Sequence, residues 1–300
     1  MYSCQMGRIK GLFEWLQIFI SIFRGRSLTT YGKNHIKFIF EKFKYEFLYS
    51  SKNLDAAEQS IKKFVDLLEI KNLGPLIRIG PKQDAGYVAL DLFPTPFLLS
   101  AGAGKNIEFE IFFARRGSRV DLYDPTVTRL PNYHENIEHF KYALEGKGSN
   151  LFKNSLTLAE CLEQYINTGD ETRGRYLKLD IEGSEWNLLK SSLEELLEFD
   201  QIFIEFHDLF KLPDKDFRST YTIVNKFLVE NFYFVSISAN NWASFINFGK
   251  SFTPLIYECT LVNKKYRSRL DFKGEVEFKN LIYRNNPKRP LIYHKPFYVD

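Results

Sequence analysis

Two rhythms of apolar residues alternate along residues 96–264. The runs "PFLLS" (96–100), "RVDLYDP" (119–125), "IEHFKYAL" (137–144), "YLKLDI" (176–181) and "QIFIEFHDL" (201–209) read as strands. Between them, apolar positions repeat with helical spacing over 106–117, closed by Gly117, and over 158–167, opened by a Thr157–Glu160 capping box. The same spacing marks 185–199 and 217–231, and in 158–167 it puts Leu158, Cys161, Leu162, Tyr165 and Ile166 on one face. Strands alternating with helices predict an α/β fold with a mostly parallel sheet covered on both sides. "FYFVSISAN" (232–240) and "LIYECTLVNK" (255–264) lack a helix between them, which predicts an antiparallel hairpin at one edge.

Upstream the pattern is helical. Asn53 is a candidate cap for a helix over 54–70, with Ala57, Ile61, Phe64, Val65 and Leu68 on its apolar face and Gly74-Pro75 beyond its end. Residues 31–52 mix Lys with Phe and Tyr and read as a basic, aromatic helix. The apolar stretch within 7–27 has basic flanks, is interrupted by Glu14 and Gln17, and is too short to span a bilayer, which takes about 20 residues. It reads as an amphipathic helix that packs on the body, pairs two subunits, or lies on a membrane surface. The expected division is a helical extension over 1–72 and a catalytic domain over 73–300.

Charge and cysteine content narrow the class. Lys plus Arg number 41 against 37 Asp plus Glu, so the +4 balance does not point to a nucleic-acid binder. Cys4, Cys161 and Cys259 are too far apart for a zinc motif or a disulfide framework. A reducing cytoplasm is the expected home, with peripheral contact at the inner membrane face as a variant through 7–27.

The candidate chemistry lies where strands end. Gly102 and Gly104 follow the first strand, where glycines let a backbone turn tightly and approach a ligand beside helix N–H groups. Ile107 occupies the third glycine position of the dinucleotide fingerprint, which disfavours a nicotinamide cofactor. Asp124 ends the next strand 20 residues after Gly104, where an acid can take two ribose hydroxyls, so the pair points to an adenosine-containing cofactor. Asp180 ends a strand expected to be buried, followed by Glu182, Gly183 and Glu185. Acids at a helix start favour the dipole by about 0.3–1 kcal/mol each, which accounts for Glu185 and partly for Glu182 but not for Asp180. A buried carboxylate needs a partner or a task. Glu205, His207 and Asp208 end the neighbouring strand in the same way; three roles are open to His207, as general base, metal ligand or satisfied structural histidine.

The segments "YLKLDIEGSEWNLL" and "IFIEFH", with "SAGAGKNIEFE", "LYDPT" and "RIGPKQDAGYV" (78–88), resemble the FkbM-type family of S-adenosylmethionine-dependent methyltransferases. The likeness is to the branch that includes the methyltransferase-like 24 proteins, and it covers roughly 76–264; Ala85 replaces the first of the family's paired glycines. The resemblance implies a Rossmann-like class I methyltransferase sheet with an antiparallel last strand, and O-methylation, with a sugar hydroxyl of a glycan or glycolipid precursor as the expected acceptor. The cofactor would lie on Ser100, Ala101, Gly102, Gly104, Asp124 and Pro125. Asp180, Glu182 and His207 would be catalytic, and Arg78, Asp84, Tyr87, Glu185 and Glu205 would face the acceptor. No metal belongs to this expected site, although its oxygen ligands would suit Mg²⁺. The competing readings are a catalytically silent binding module of the same fold and, less favoured, a nicotinamide-linked oxidoreductase.

Overall fold

The computed structural model describes residues 51–71, 73–104, 106–149, 151–166, 174–243, 245–269 and 281–288. The expectations for 7–27 and for most of 31–52 fall outside them. The chain divides into two units, Met1–Leu54 and Asp55–Asp300. The division falls inside helix α1 (Ser51–Leu67) rather than at 72/73. The physical reason lies in the second unit, where Ala57, Ile61 and Phe64 are buried and Phe64 packs edge-on against Tyr221 and Phe234. Asn53 lies within α1, not at its cap, and Ile70 leaves the helix to form a bridge with Phe234.

The second unit continues with β1 (Leu76–Ile79), β2 (Tyr87–Leu90), β3 (Phe97–Ala101), α2 (Glu108–Arg115), β4 (Val120–Tyr123) and β5 (Ile137–Phe140). The short pair β6 (Ala143–Leu144) and β7 (Ser155–Leu156) precedes α3 (Leu158–Ile166) and β8 (Arg175–Leu179). Then come α4 (Glu185–Ser191), α5 (Leu193–Leu196), β9 (Gln201–Phe206), α6 (Lys215–Asn231) and β10 (Phe232–Ala239). The hairpin β11 (Phe245–Phe248) with β12 (Ser251–Pro254) and the strand β13 (Tyr257–Asn263) follow. The helix expected over 185–199 breaks at Ser192, and α6 starts at the Asp214 cap, whose carboxylate accepts from the amides of Asp216 and Phe217 at 3.0 and 2.9 Å. Thr157 and Glu160 form the capping box, exchanging bonds of 2.7 and 3.3 Å.

Seven strands form one sheet in the order β10-β13-β9-β8-β3-β4-β5. β3, β4, β5, β8 and β9 run parallel, and β13 is antiparallel to both its neighbours, β9 and β10. The two late strands do pair antiparallel, but not as an edge hairpin: β13 is inserted inside the sheet. All seven of its residues are buried, as an inner strand covered on both faces requires. From β3 the chain builds outward through β4 and β5, and from β8 it builds the other way through β9. The sheet is therefore an α/β, Rossmann-like arrangement with its switch point between β3 and β8.

The antiparallel pair β1–β2 is absent from the periodicity reading because each strand has only four residues. It is fixed to the main sheet by side chains. The buried Gln201 amide accepts from Leu90 N at 2.8 Å and donates to Leu90 O at 2.9 Å, and Thr260 Oγ1 donates to Val88 O at 2.6 Å. Gln201→Ala orphans the buried Leu90 amide, at a cost of about 1–3 kcal/mol, while the Leu90 carbonyl keeps its bond from the Leu92 amide. Urea denaturation is expected to show a loss of that order, and a variant as stable as the parent would mean the hairpin is held by other contacts.

Candidate functional site

The turns after β3 and β8 meet at the switch point. Gly102 has φ +85°, and a Cβ there would sit 1.8 Å from the Asp180 carbonyl oxygen, so no other residue fits without moving one turn away from the other. A buried polar group locks the approach from below. Lys178 Nζ donates to Gly102 O at 2.6 Å and lies 3.4 Å from Glu110 Oε1, which also accepts from Ser100 Oγ at 2.6 Å. Lys178 and Glu110 are almost wholly buried. Burial works against the ammonium, but Glu110 and then Asp180 outweigh it and hold its pKa above the ordinary lysine value.

Above this lock lies a half-open cleft with about 110 Å³ of free space. Gly102, Tyr123, Asp124, Pro125 and Thr126 form one wall, and Asp180, Ile181, Glu182 and Ser184 form the facing one. Ala143, Leu144 and Phe152 close it with apolar surface. Its mix of apolar walls with a few acids is that of a small-molecule site, and its volume is smaller than most such pockets have.

Asp124 reaches the cleft but is already engaged. Oδ2 accepts from the amides of Ala103 and Gly104 at 2.9 and 3.1 Å. Oδ1 accepts from Thr126 N at 2.7 Å, Thr126 Oγ1 at 2.6 Å and Val127 N at 3.2 Å. Burial raises its pKa, but these bonds more than offset that and hold the carboxyl below its usual range. A carboxylate has about four lone-pair sites, so none is left for two ribose hydroxyls in this arrangement. Asp124 is the clasp that shapes the glycine turn.

The acids after β8 and β9 form a graded set. The Asp180 carboxyl opens on the cleft while protein surrounds its other sides; burial pushes its pKa up to about 6 against the pull of Lys178 and His207. Glu182 is exposed and holds a left-handed φ of 54°, a costly conformation for a residue with a side chain. Glu185 is buried and turned inward: it accepts from Ile181 N at 2.9 Å and Gly183 N at 3.1 Å, and it pairs with His207 Nδ1 at 3.0 Å. His207 Nε2 faces Glu182 at 3.7 Å and Glu205 at 3.9 Å. Burial disfavours the imidazolium, but the Glu185 bond prevails and its pKa is raised well above the ordinary value. Burial, with Asp180 beside it, raises that of Glu205.

Of the expected cofactor residues, Gly102, Asp124 and Pro125 line the cleft. Gly104 borders it through its bond to Asp124 and holds φ +54° with open space where a Cβ would point. Ser100 and Ala101 are wholly buried in β3 and do not line it. Asp180 and Glu182 do, and His207 lies behind them. The expected acceptor residues Arg78, Asp84, Tyr87, Glu185 and Glu205 do not line this cleft. The Arg78 guanidinium donates to the carbonyls of Pro81, Gln83 and Leu281, and Tyr87 is buried under the β1–β2 hairpin. Glu110, Lys178, Tyr123 and Phe152 escape the sequence reading. Charged residues inside an apolar strand and helix were the available signal for the first two. Two groups have metal-ligand geometry: Asp180 with Glu182 and His207, and Asp84 with Glu205 and Glu258, each with donor atoms within 4.8 Å of one another.

No family model matches the chain, and no curated protein matches it. Among solved structures it is similar to a protein titled "Putative hemolysin from Streptococcus thermophilus", with 11% identity and a TM-score of 0.31, over 58% of this chain and 61% of that one. A TM-score so low bears on neither fold nor function. No described helix is long and apolar enough to cross a membrane.

Glu110→Leu leaves the Lys178 ammonium buried without its carboxylate. The expected cost is about 3–5 kcal/mol by chemical denaturation, and a loss under 1 kcal/mol would show that the pair is not needed. His207 is expected to remain protonated through pH 7 by NMR titration. Because its folded pKa is raised, the stabilisation is complete below about pH 6.5 and fades as pH climbs through the folded value. Glu185→Gln lowers that value; an imidazole titrating at or below 6.5 in the parent protein contradicts the assignment.

Proposed function

We propose that this chain is an S-adenosylmethionine-dependent methyltransferase that methylates a hydroxyl group, with a sugar of a glycan or glycolipid precursor as the acceptor class. The observation that carries the reading is the placement of the last strand. β13 runs antiparallel between β9 and β10, the feature the resemblance to the FkbM-type family implies, and the cleft lies at the ends of β3, β4 and β8. The acceptor class rests on that resemblance and on the acids of one wall.

The residues of the cleft fit such a cofactor. Ala143, Leu144, Phe152 and Ile181 offer apolar surface for a flat base, and Gly102 keeps the floor free of side chains. With Asp124 engaged, it shapes the turn, and ribose contacts fall to other groups of the wall. When bound, the cofactor supplies an electrophilic methyl group on a sulfonium. Methyl transfer needs alignment above all, which the rigid turns at the switch point provide. The Asp180 carboxylate, whose pKa of about 6 suits a base at neutral pH, would take the proton of the acceptor hydroxyl. His207, protonated and held by Glu185, stays behind Asp180 as a fixed positive charge that favours its ionised form. That makes it a positioning residue rather than the base.

Calorimetry with the full chain is expected to show binding of S-adenosylmethionine and its demethylated product, and none of NAD. Asp180→Asn is expected to keep product affinity within threefold while turnover on a sugar-acceptor panel falls by about 10²–10⁴. Absence of binding by either form of the cofactor, or tight NAD binding, defeats the reading; unchanged turnover in Asp180→Asn removes that residue from catalysis.

A further inference from the structure

Glu205 of β9 and Glu258 of β13 are direct cross-strand partners on one face of the sheet, and both are buried. Two carboxylates opposite one another destabilise a sheet, and burial holds both carboxyls above their ordinary pKa, Glu258 at about 8, so without a counter-ion they keep protons at neutral pH. The loop of the β1–β2 hairpin brings a third carboxylate, Asp84, to the same place, with donor atoms of all three within 4.8 Å of one another. Two oxygens across one hard cation, each about 2.0–2.6 Å from it, stand up to about 4–5 Å apart.

Two asparagines brace the group. Asn240 Nδ2 donates to Glu205 Oε1 at 2.7 Å and to Asp84 Oδ1 at 3.3 Å, and its own oxygen is fixed by Trp242 N at 2.9 Å. Asn285 Nδ2 donates to Glu258 Oε1 at 2.5 Å and to Asp84 Oδ1 at 3.1 Å. Among the described residues no hydrogen-bond donor reaches the second oxygen of any of the three acids. An independent sign comes from Tyr87. It is 2% exposed, its hydroxyl has no hydrogen-bond partner among the described residues, and it lies in the field of Asp180, Glu205, Glu258 and Asp84. A buried hydroxyl among carboxylates that bonds to none of them calls for a bridging group. Of the cations facing the cluster, Arg78 spends its donors on carbonyls, and His207 comes no closer than 3.9 Å to Glu205.

We propose that Asp84, Glu205 and Glu258 bind a hard divalent cation of the Mg²⁺, Mn²⁺ or Ca²⁺ class, with the Tyr87 hydroxyl facing it. All-oxygen donors select such ions over soft metals. The ion ties the hairpin loop and the segment carrying Asn285 to the end of the sheet. The site adjoins Asp180, Glu182 and His207, since His207 Nε2 lies 3.9 Å from Glu205, but it uses different ligands and stands whether or not the chain transfers methyl groups.

The test is titration of the metal-free full chain with Mn²⁺ alone, free ion being read by electron paramagnetic resonance, followed by competition with Mg²⁺ and Ca²⁺. One saturable equivalent is expected. Asp84→Asn, on an exposed loop, and Glu258→Gln, of matched shape, are each expected to weaken binding at least tenfold. Both should keep the melting temperature of the metal-free protein, since each replaces a carboxyl by an amide of the same shape. Glu182→Gln is expected to bind within threefold of the parent. The proposal is overturned if none of the three ions binds. It also fails if Asp84→Asn and Glu258→Gln bind as the parent does, or if Glu182→Gln abolishes binding and so assigns the ion to the other cluster.

Discussion

The absence of a side chain at residue 102 sets the geometry of the site. The turn after β3 and the turn after β8 pass so close there that a single Cβ would overlap the Asp180 carbonyl. That contact fixes the cleft between the two turns and aims Asp180 across it. Lys178 and Glu110 make the approach durable by placing a charge pair under the Gly102 carbonyl. Such a pair contributes less to net stability than its distances suggest, since both charges must leave water. Its value lies in geometry: the ammonium has one carbonyl to hold, and holding it fixes the turn.

Around that point the conformational strain is local. Glu182 and Asp208 hold left-handed backbone angles of 54° and 65° in the turns after β8 and β9, and Gly183 packs against the Asp208 carboxylate, which a Cβ would approach to 2.7 Å. Residues with side chains enter this region at a cost and persist there when their surroundings over-determine them. Here the surroundings are the Glu185 carboxylate, which gathers the amides of Ile181 and Gly183, and the Trp186 indole, which donates to His207 O at 2.7 Å. Ala85 carries the same kind of angle, 63°, at the position where the resembling family has glycine.

The parallel strands and the long helix α6 were legible because their apolar runs are long and bounded by clear caps. β1, β2, β11 and β12 were not, since four residues show no reliable period. Strand order is invisible to periodicity, so β13 reads as an edge partner although it lies inside the sheet. At the site, Gly102, Asp124 and Asp180 stand out because small and acidic residues interrupt apolar strands. Their roles are less legible. Asp124 resembles a ribose ligand until its bonds to the amides of residues 103, 104, 126 and 127 are seen. Glu110 and Lys178 meet through space, from a helix and a strand 68 positions apart in sequence. No local pattern joins them.

The insertion of β13 also orders events in time. A nascent chain emerges from its amino end, and β9 is made about fifty residues before the strand that will cover its free side. Until residues 257–263 appear, β9 presents an unpaired edge, a template for joining other chains. β10 cannot relieve this, because its own place is beyond β13. The sheet is therefore completed late, when β13 takes its place between two strands made before it. A ribosome stalled before that step leaves a chain that has its cleft walls but not its seal.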